Sequence, residues 1–511
     1  MKVTSLGHAG LKVETHSATV LVDPWLSPEG AFLASWFQYP DNSHLMTPAL
    51  LEPTAIALSH EHLDHLDPWF LAQVPGHIPV FIPRYPSPIL RQKIAATGDR
   101  KIVEVLPWEP VILSEGTYLF FVTEESPMNH DAAVVMVGDR QTVLNLNDAR
   151  LSPSQLRSIR AKVGGTIDLL MLQGSGASWY PMCYDYAPEQ RQQLAQRKRS
   201  AKLNYVARVM DVVEPVMTVP FAGPPCFLDP ELAQFNAEMD NGIFPDPQQV
   251  VDWLAEQGCK NTTILLPGDS WDTASQTRQA DPVWDGFSFR DRDAYLNQYA
   301  QRRATNIAAV IARHPEPTES LWQAFQEYFQ QLLSMNSYFN QKIGMRVGFY
   351  ILGAGGGQWA VDFRPESQGV FDQMGDCNYY YRFASRWLPP LLAGKLPWED
   401  FFLSLRFQAR RTPDVYNDHL LGLLKFAHPP ALEAVEEYEK VMAVEERIPI
   451  HVEGRNYLVQ RRCPHAGVDL LEAGEVLPGG VLRCLGHHYE FDLETGQCLN
   501  GNCRSLKTQR I

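Results

Sequence analysis

Cysteine is scarce in this chain, with eight among 511 residues, too thinly spread for a disulfide framework. Basic residues are also short: 44 lysines and arginines stand against 59 acidic residues, a net charge of −15. That balance excludes a general nucleic-acid binder or a binder of anionic membranes, since both need a basic surface. It leaves room for a small anion in a local basic pocket. No run of about 18 apolar residues is present to span a membrane. Met1 to His8 contains no apolar core of signal-peptide length, so a cytoplasmic location is expected. Internal repeats and low-complexity stretches are missing too. What remains is 45% hydrophobic and 20% charged, the balance of a globular protein long enough for two or three domains.

The few cysteines are informative where they fall. Cys463-Pro464-His465 and, eighteen residues on, Cys484-Leu485-Gly486-His487 give C-x-H followed by C-x2-H. Two thiolates and two imidazoles in this order suit a Rieske [2Fe–2S] centre, with Cys463 and Cys484 on one iron and His465 and His487 on the other. A zinc ribbon would show C-x2-C knuckles instead. The spacing selects His487 over its neighbour His488. Cys183, Cys226, Cys259, Cys377, Cys498 and Cys503 are expected to be reduced and buried. A Rieske cluster passes single electrons, so a receiving centre is expected elsewhere in the chain.

Alternating apolar residues predict strands at Val3–Leu6, Leu11–Glu14, Thr19–Val22, Ala55–Leu58, Val80–Ile82, Thr117–Val122, Ala132–Val137, Thr142–Leu146 and Asp168–Leu172. Helical stretches, among them Pro88–Ala95 and Pro153–Lys162, lie between them. This pattern predicts an α/β layered domain over residues 1–284 with ligands at strand ends. A second region, 285–428, reads as α+β. It has helices at Ala294–Arg313 and Glu319–Met335, then strands at Val347–Leu352 and Trp359–Phe363 flanking Gly353 to Gly357. The glycine run lacks the lysine and hydroxyl of a phosphate loop and reads as a tight turn. Residues 429–511 comprise a linker helix and a small all-β module around the cluster.

The second centre is sought at Ser59-His60-Glu61-His62-Leu63-Asp64-His65, directly after the strand at 55–58. His60 and His62 alternate on an extended segment and can face one side. Asp64 and His65, after a turn, can serve a neighbouring position. With Gly7-His8-Ala9, Asp23-Pro24-Trp25 and Asn147-Asp148, this loop resembles the metallo-β-lactamase superfamily. The resemblance implies an αββα sandwich, with His130 matching the family's third histidine and Asp148 its bridging aspartate. The family's last histidine should fall in Thr218–Pro224, where none is present. An iron site of two histidines and a carboxylate would use electrons that a zinc hydrolase would not. Expected ligands to one or two irons are His60, His62 and His130 at one position, and Asp64, His65 and Asp148 at the other. His60, His62, Asp64 and His65 are also the expected catalytic centre.

Further stretches resemble one family more closely, that of CMP-N-acetylneuraminate hydroxylase. They are Gly176-Ala177-Ser178, Tyr180-Pro181-Met182, Arg197 to Tyr205, Pro220 to Gly223, Asp269-Ser270-Trp271 and Arg410 to Tyr416. They run in collinear order through residues 1–427. That family places its Rieske module first, whereas here it comes last. Residues 320–427 also faintly resemble sterol-carrier-type domains. The hydroxylase resemblance implies a monooxygenase that uses dioxygen and Rieske-delivered electrons on a small polar substrate such as an N-acetylated nucleotide sugar. It also implies a soluble electron donor, a ferredoxin or a cytochrome b5-like protein with its reductase. Arg199 and Lys202, in the densest basic run, are candidates to grip an anionic substrate group. The competing expectation is a metallo-β-lactamase-like hydrolase with a redox-sensing Rieske module. Homo-oligomerisation is left open.

Overall fold

The computed structural model describes residues 1–175, 178–414, 416–442, 446–465, 467–486, 488–501 and 503–511. Its first part is a sandwich of two sheets. One has eight strands in the order Thr277–Gln279, Ser270–Asp272, Lys2–Gly7, Gly10–Glu14, Thr19–Val22, Ala55–Ala57, Val80–Pro83 and Ile102–Val105. The other has six, in the order Met217–Phe221, Leu169–Gln173, Gln141–Asn145, Ala132–Gly138, Thr117–Thr123 and Val111–Ser114.

Residue alternation explains the layering. Val20 and Val22 point into the core between the sheets, with Leu119, Phe121, Val134 and Met136. Leu21, one residue out of phase, points the other way, onto Phe70, Leu90 and Ile94 of the helices Pro68–Leu71 and Ile89–Ala95. Phe120, Val135 and Leu144 face Leu156 and Val206 of the helices Pro153–Lys162 and Pro188–Val213 in the same manner. Strands buried on both faces read as continuous apolar runs, and helices on both outer faces complete an αββα sandwich.

In the middle region, Arg346–Leu352 and Gly357–Asp362 pair antiparallel across the glycine turn. They belong to a five-stranded sheet with Gly369–Phe371, Tyr379–Ala384 and Phe407–Arg411. Its core is continuous with the sandwich: Phe325, Phe349 and Trp398 share one apolar cluster with Trp36, Phe227 and Phe244. The helix Pro429–Met442 packs Leu432 and Val435 onto that cluster before the chain enters two three-stranded sheets. Tyr457, Val459, Leu482 and Phe491 fill the small core there.

None of the eight cysteines is in a disulfide. Cys183 and Cys226 are buried as expected, but Cys259, Cys377, Cys498 and Cys503 are only half-buried, because they lie on loops. Among the described residues no helix is long and apolar enough to cross a membrane.

Candidate active site

The metal loop leaves the end of Ala55–Ala57 and is held by its neighbours. The backbone N–H groups of His65 and Leu66 both donate to the His62 carbonyl, at 3.0 and 2.7 Å, which turns the chain as the sequence required. Asp23, at the end of the adjacent strand, accepts from Ser59 N (2.8 Å) and Ser59 Oγ (2.5 Å). Asp23 Oδ2 also lies 3.0 Å from His65 Nδ1, and Ser59 Oγ lies 2.9 Å from His60 Nδ1. Each imidazole is thus anchored through Nδ1 and presents Nε2, the way outer partners orient metal-binding histidines. His62 is anchored the other way. Its Nε2 lies 3.2 Å from Glu399 Oε2, and its Nδ1 lies 2.9 Å from His60 Nε2.

His60, His62 and Asp148 bring one donor atom each within 4.8 Å of the others, and His8, Asp64 and His65 do the same. His65 Nε2 and Asp148 Oδ1 are buried, 3.5 Å apart, and without a hydrogen-bond partner. A buried imidazole and carboxylate that face each other without a hydrogen bond fit a cation, and this donor pair suits a divalent first-row metal. Burial, with the charges of His65 and His62, pushes the His60 imidazole well below its ordinary range and keeps it neutral. Burial also pushes the Asp148 carboxyl up, but the His65 charge outweighs it and holds the group ionised. A neutral imidazole and an ionised carboxylate are the forms that bind metal. Burial opposes a charge on His62, yet the Glu399 carboxylate raises it to about 9. Non-glycine residues with positive φ gather here: His8 at 49°, Asp23 at 44° and Asn147 at 50°. Left-handed backbone at such residues is held only where surrounding contacts enforce it.

His130 departs from its expected place. It is in neither donor group; its Nδ1 lies 3.3 Å from Glu61 Oε1, and its ring stacks on Tyr85 at 4.5 Å. Its neighbour Asp131 turns inward instead, with Oδ1 3.6 Å from His60 Nε2. His8 brings its Nε2 to 2.9 Å from Asp64 Oδ2. Glu399 and Lys425 were not legible as site residues, since they arrive from more than 300 positions away. Lys425 Nζ lies 2.8 Å from Glu399 and 3.7 Å from Glu61.

Of the basic run, Arg199 faces away and donates to the Asp240 carbonyl (3.1 Å) and Gln249 (3.2 Å). Lys198 and Lys202 lie one helical turn apart on the same face, and Lys202 is the one near Asp148. Lys198 Nζ donates to Ser178 Oγ and the Tyr180 carbonyl. Lys202 has no hydrogen-bond or ion-pair partner among the described residues. Burial, then the charge of Arg150, pushes its ammonium well below the usual lysine range. Arg150 also lines a cleft between the sandwich and the C-terminal loops at Val468 and Leu485.

In those loops Cys463 and Cys484 are buried, and the Cys463 amide donates to the Val468 carbonyl at 2.8 Å. Gly486 packs so closely that a Cβ there would meet Val468 Cγ2 at 2.8 Å. His465 Nε2 lies 2.9 Å from Asp418 Oδ2, so that nitrogen is engaged by the carboxylate. His487 lies outside the described residues, as do Gly176, Ala177 and Val415. Two buried thiols and an imidazole on paired tight loops fit a Rieske cluster.

The C-terminal module is therefore an electron-transfer domain: residues 427–509 match the family model of the Rieske [2Fe-2S] domain. The chain is 32% identical over 529 aligned residues, covering 100% of both, to a Mycolicibacterium smegmatis protein named as a Rieske 2Fe-2S iron-sulfur protein. It belongs to that family of Rieske 2Fe-2S iron-sulfur proteins. It is also 22% identical over 450 residues to cytidine monophosphate-N-acetylneuraminic acid hydroxylase of Danio rerio, covering 81% of this chain and 70% of that one. Among solved structures, the diiron β-hydroxylase CmlA of Streptomyces venezuelae superposes with a TM-score of 0.37 at 16% identity, covering 55% of this chain and 54% of that one.

Proposed function

We propose that the chain is an oxygenase that takes electrons from a soluble redox partner through its Rieske cluster and oxidises a small anionic substrate at the sandwich site. The observation that carries this reading is the pairing, in one chain, of a Rieske module with the clustered His60, His62 and Asp148 donors, with Lys202 beside Asp148 and making no hydrogen bond or ion pair among the described residues. The likeness to the Danio rerio hydroxylase over most of the chain supports the same chemistry and suggests N-acetylated nucleotide sugars as first substrates.

His60, His62 and Asp148 would hold an iron, with His8, Asp64 and His65 as a second set. An iron there supplies dioxygen binding and one-electron chemistry. The chain's own residues do the rest. Asp23 and Ser59 fix the imidazoles, and Glu399 holds the proton on His62 Nε2. Lys202, Lys198 and Arg150 attract a carboxylate or phosphate. A cation that offsets Asp148 would leave only Asp131 to balance Lys202, and a buried ammonium without a close partner favours an added anion.

The second donor set also gives weight to the competing reading, a dinuclear hydrolase with a redox-sensing cluster. Anaerobic reconstitution with iron and sulfide, then turnover against CMP-N-acetylneuraminate and a panel of N-acyl sugars, separates the two. The oxygenase needs both dioxygen and reductant; product formed without either supports the hydrolase.

A further inference from the structure

The helix Asp418–Phe426 touches both candidate metal centres. At its start, Asp418 Oδ2 lies 2.9 Å from His465 Nε2 and accepts from Tyr489 Oη at 3.3 Å, while the His465 and Tyr489 rings lie 4.3 Å apart. At its end, Lys425 Nζ lies 2.8 Å from Glu399, whose Oε2 is 3.2 Å from His62 Nε2, and Phe426 packs on His130 at 4.6 Å. Eight residue steps between those ends span only about 12 Å. The helix is fixed: the Asn417 side chain caps it, accepting from Leu420 N. Gly422 lies so close to the loop before Ala132 that a Cβ there would meet Met128 Sδ at 2.5 Å. Its buried face, Leu420, Leu423 and Leu424, excludes water from the interval.

We propose that this helix couples the two centres within a single chain, and that Asp418 is a positioning residue that holds the cluster ligand His465 at the head of the path to His62. The inference rests on the oxygenase reading for the use of the electrons, but not for the contact itself. An electron leaving a reduced cluster would be taken up by a metal that His60 and His62 would hold. One electron from an external one-electron donor then refills the cluster.

The test uses Asp418→Asn and Asp418→Ala in the full, iron- and sulfide-loaded chain. Cluster content should be unchanged. The midpoint potential should rise, because a negative charge beside the cluster is gone, and the electron paramagnetic resonance g-values should shift. Reoxidation of the dithionite-reduced cluster on mixing with dioxygen should slow about 10- to 100-fold, less for Asn than for Ala. Unchanged potential, g-values and rate would overturn the role of Asp418.

Two further measurements stand if those variants fold poorly. Wild-type reoxidation should be independent of protein concentration, and a rate that falls on dilution overturns the single-chain path. A mixture of Cys463→Ser and His62→Ala chains should not recover turnover, and recovery overturns it equally. Wild-type protein whose reduced cluster ignores dioxygen would count against the oxygenase reading. A shift of the g-values in Asp418→Asn would still support the positioning role.

Discussion

His60 and His62 differ by two positions and by which nitrogen they present. His60 offers Nε2 because Ser59 occupies Nδ1, and His62 offers Nδ1 because Glu399 occupies Nε2. Replacing His62 by alanine should therefore empty the sandwich site while leaving the cluster's visible absorbance intact; metal analysis with spectroscopy checks both. Lys202→Gln should raise KM for an anionic substrate about 10- to 100-fold, the scale of one lost charge-assisted bond. Arg199→Gln should leave it unchanged, since Arg199 is already engaged by Asp240 and Gln249.

Away from the site, burial pushes the Asp41 carboxyl up, but the charge of Arg303, the Ser43 N–H and the charge of Arg302 hold it below its ordinary value. Its folded pKa is thus lower than its unfolded one. The stability it adds is full above about pH 4, the unfolded value, and is lost as pH falls through the folded value. Asp41→Asn should lower Tm at pH 7, and the difference from wild type should vanish in strong acid.

Elements were legible to different depths. Strands such as Thr19–Val22 and Ala132–Gly138 announced themselves because both their faces are apolar, and the helix Pro153–Lys162, expected between strands, is held at its start by a Ser152–Gln155 capping box. The short strands Ser270–Asp272 and Thr277–Gln279 were not legible. They pair at a sheet edge and carry little apolar pattern. Four of the six candidate metal ligands lay within one six-residue stretch and could be read from spacing alone. Glu399, Lys425 and Asp131 could not, because they reach the site only through tertiary approach; His130 lies against Glu61 and Tyr85, and Asp131 turns toward His60. The helix Asp418–Phe426 shows the same limit: its sequence gives an amphipathic helix but says nothing of what waits at each end. Asn417→Ala removes its cap and should cost about 1 kcal/mol, measurable by chemical denaturation.

At the scale of the whole molecule, the sandwich, the five-stranded middle sheet and the Rieske module share contacts rather than stand as beads on a chain. The apolar cluster that holds Trp36 and Phe244 runs on to Trp398 and to Leu432 of the linker helix. The loops at His465 and at His62 are linked through contacts with Asp418, Lys425 and Glu399 of the middle region. The basic face of Lys198, Lys202 and Arg150 lies where these parts meet, in a protein whose net charge is −15.

Oxygenase and hydrolase differ in the origin of one oxygen atom, and isotope labelling reads that directly. Turnover of a fully loaded, reduced chain under ¹⁸O₂ in ordinary water should place one labelled oxygen in the product. Unlabelled product under ¹⁸O₂, with label taken up from H₂¹⁸O instead, would contradict the oxygenase assignment.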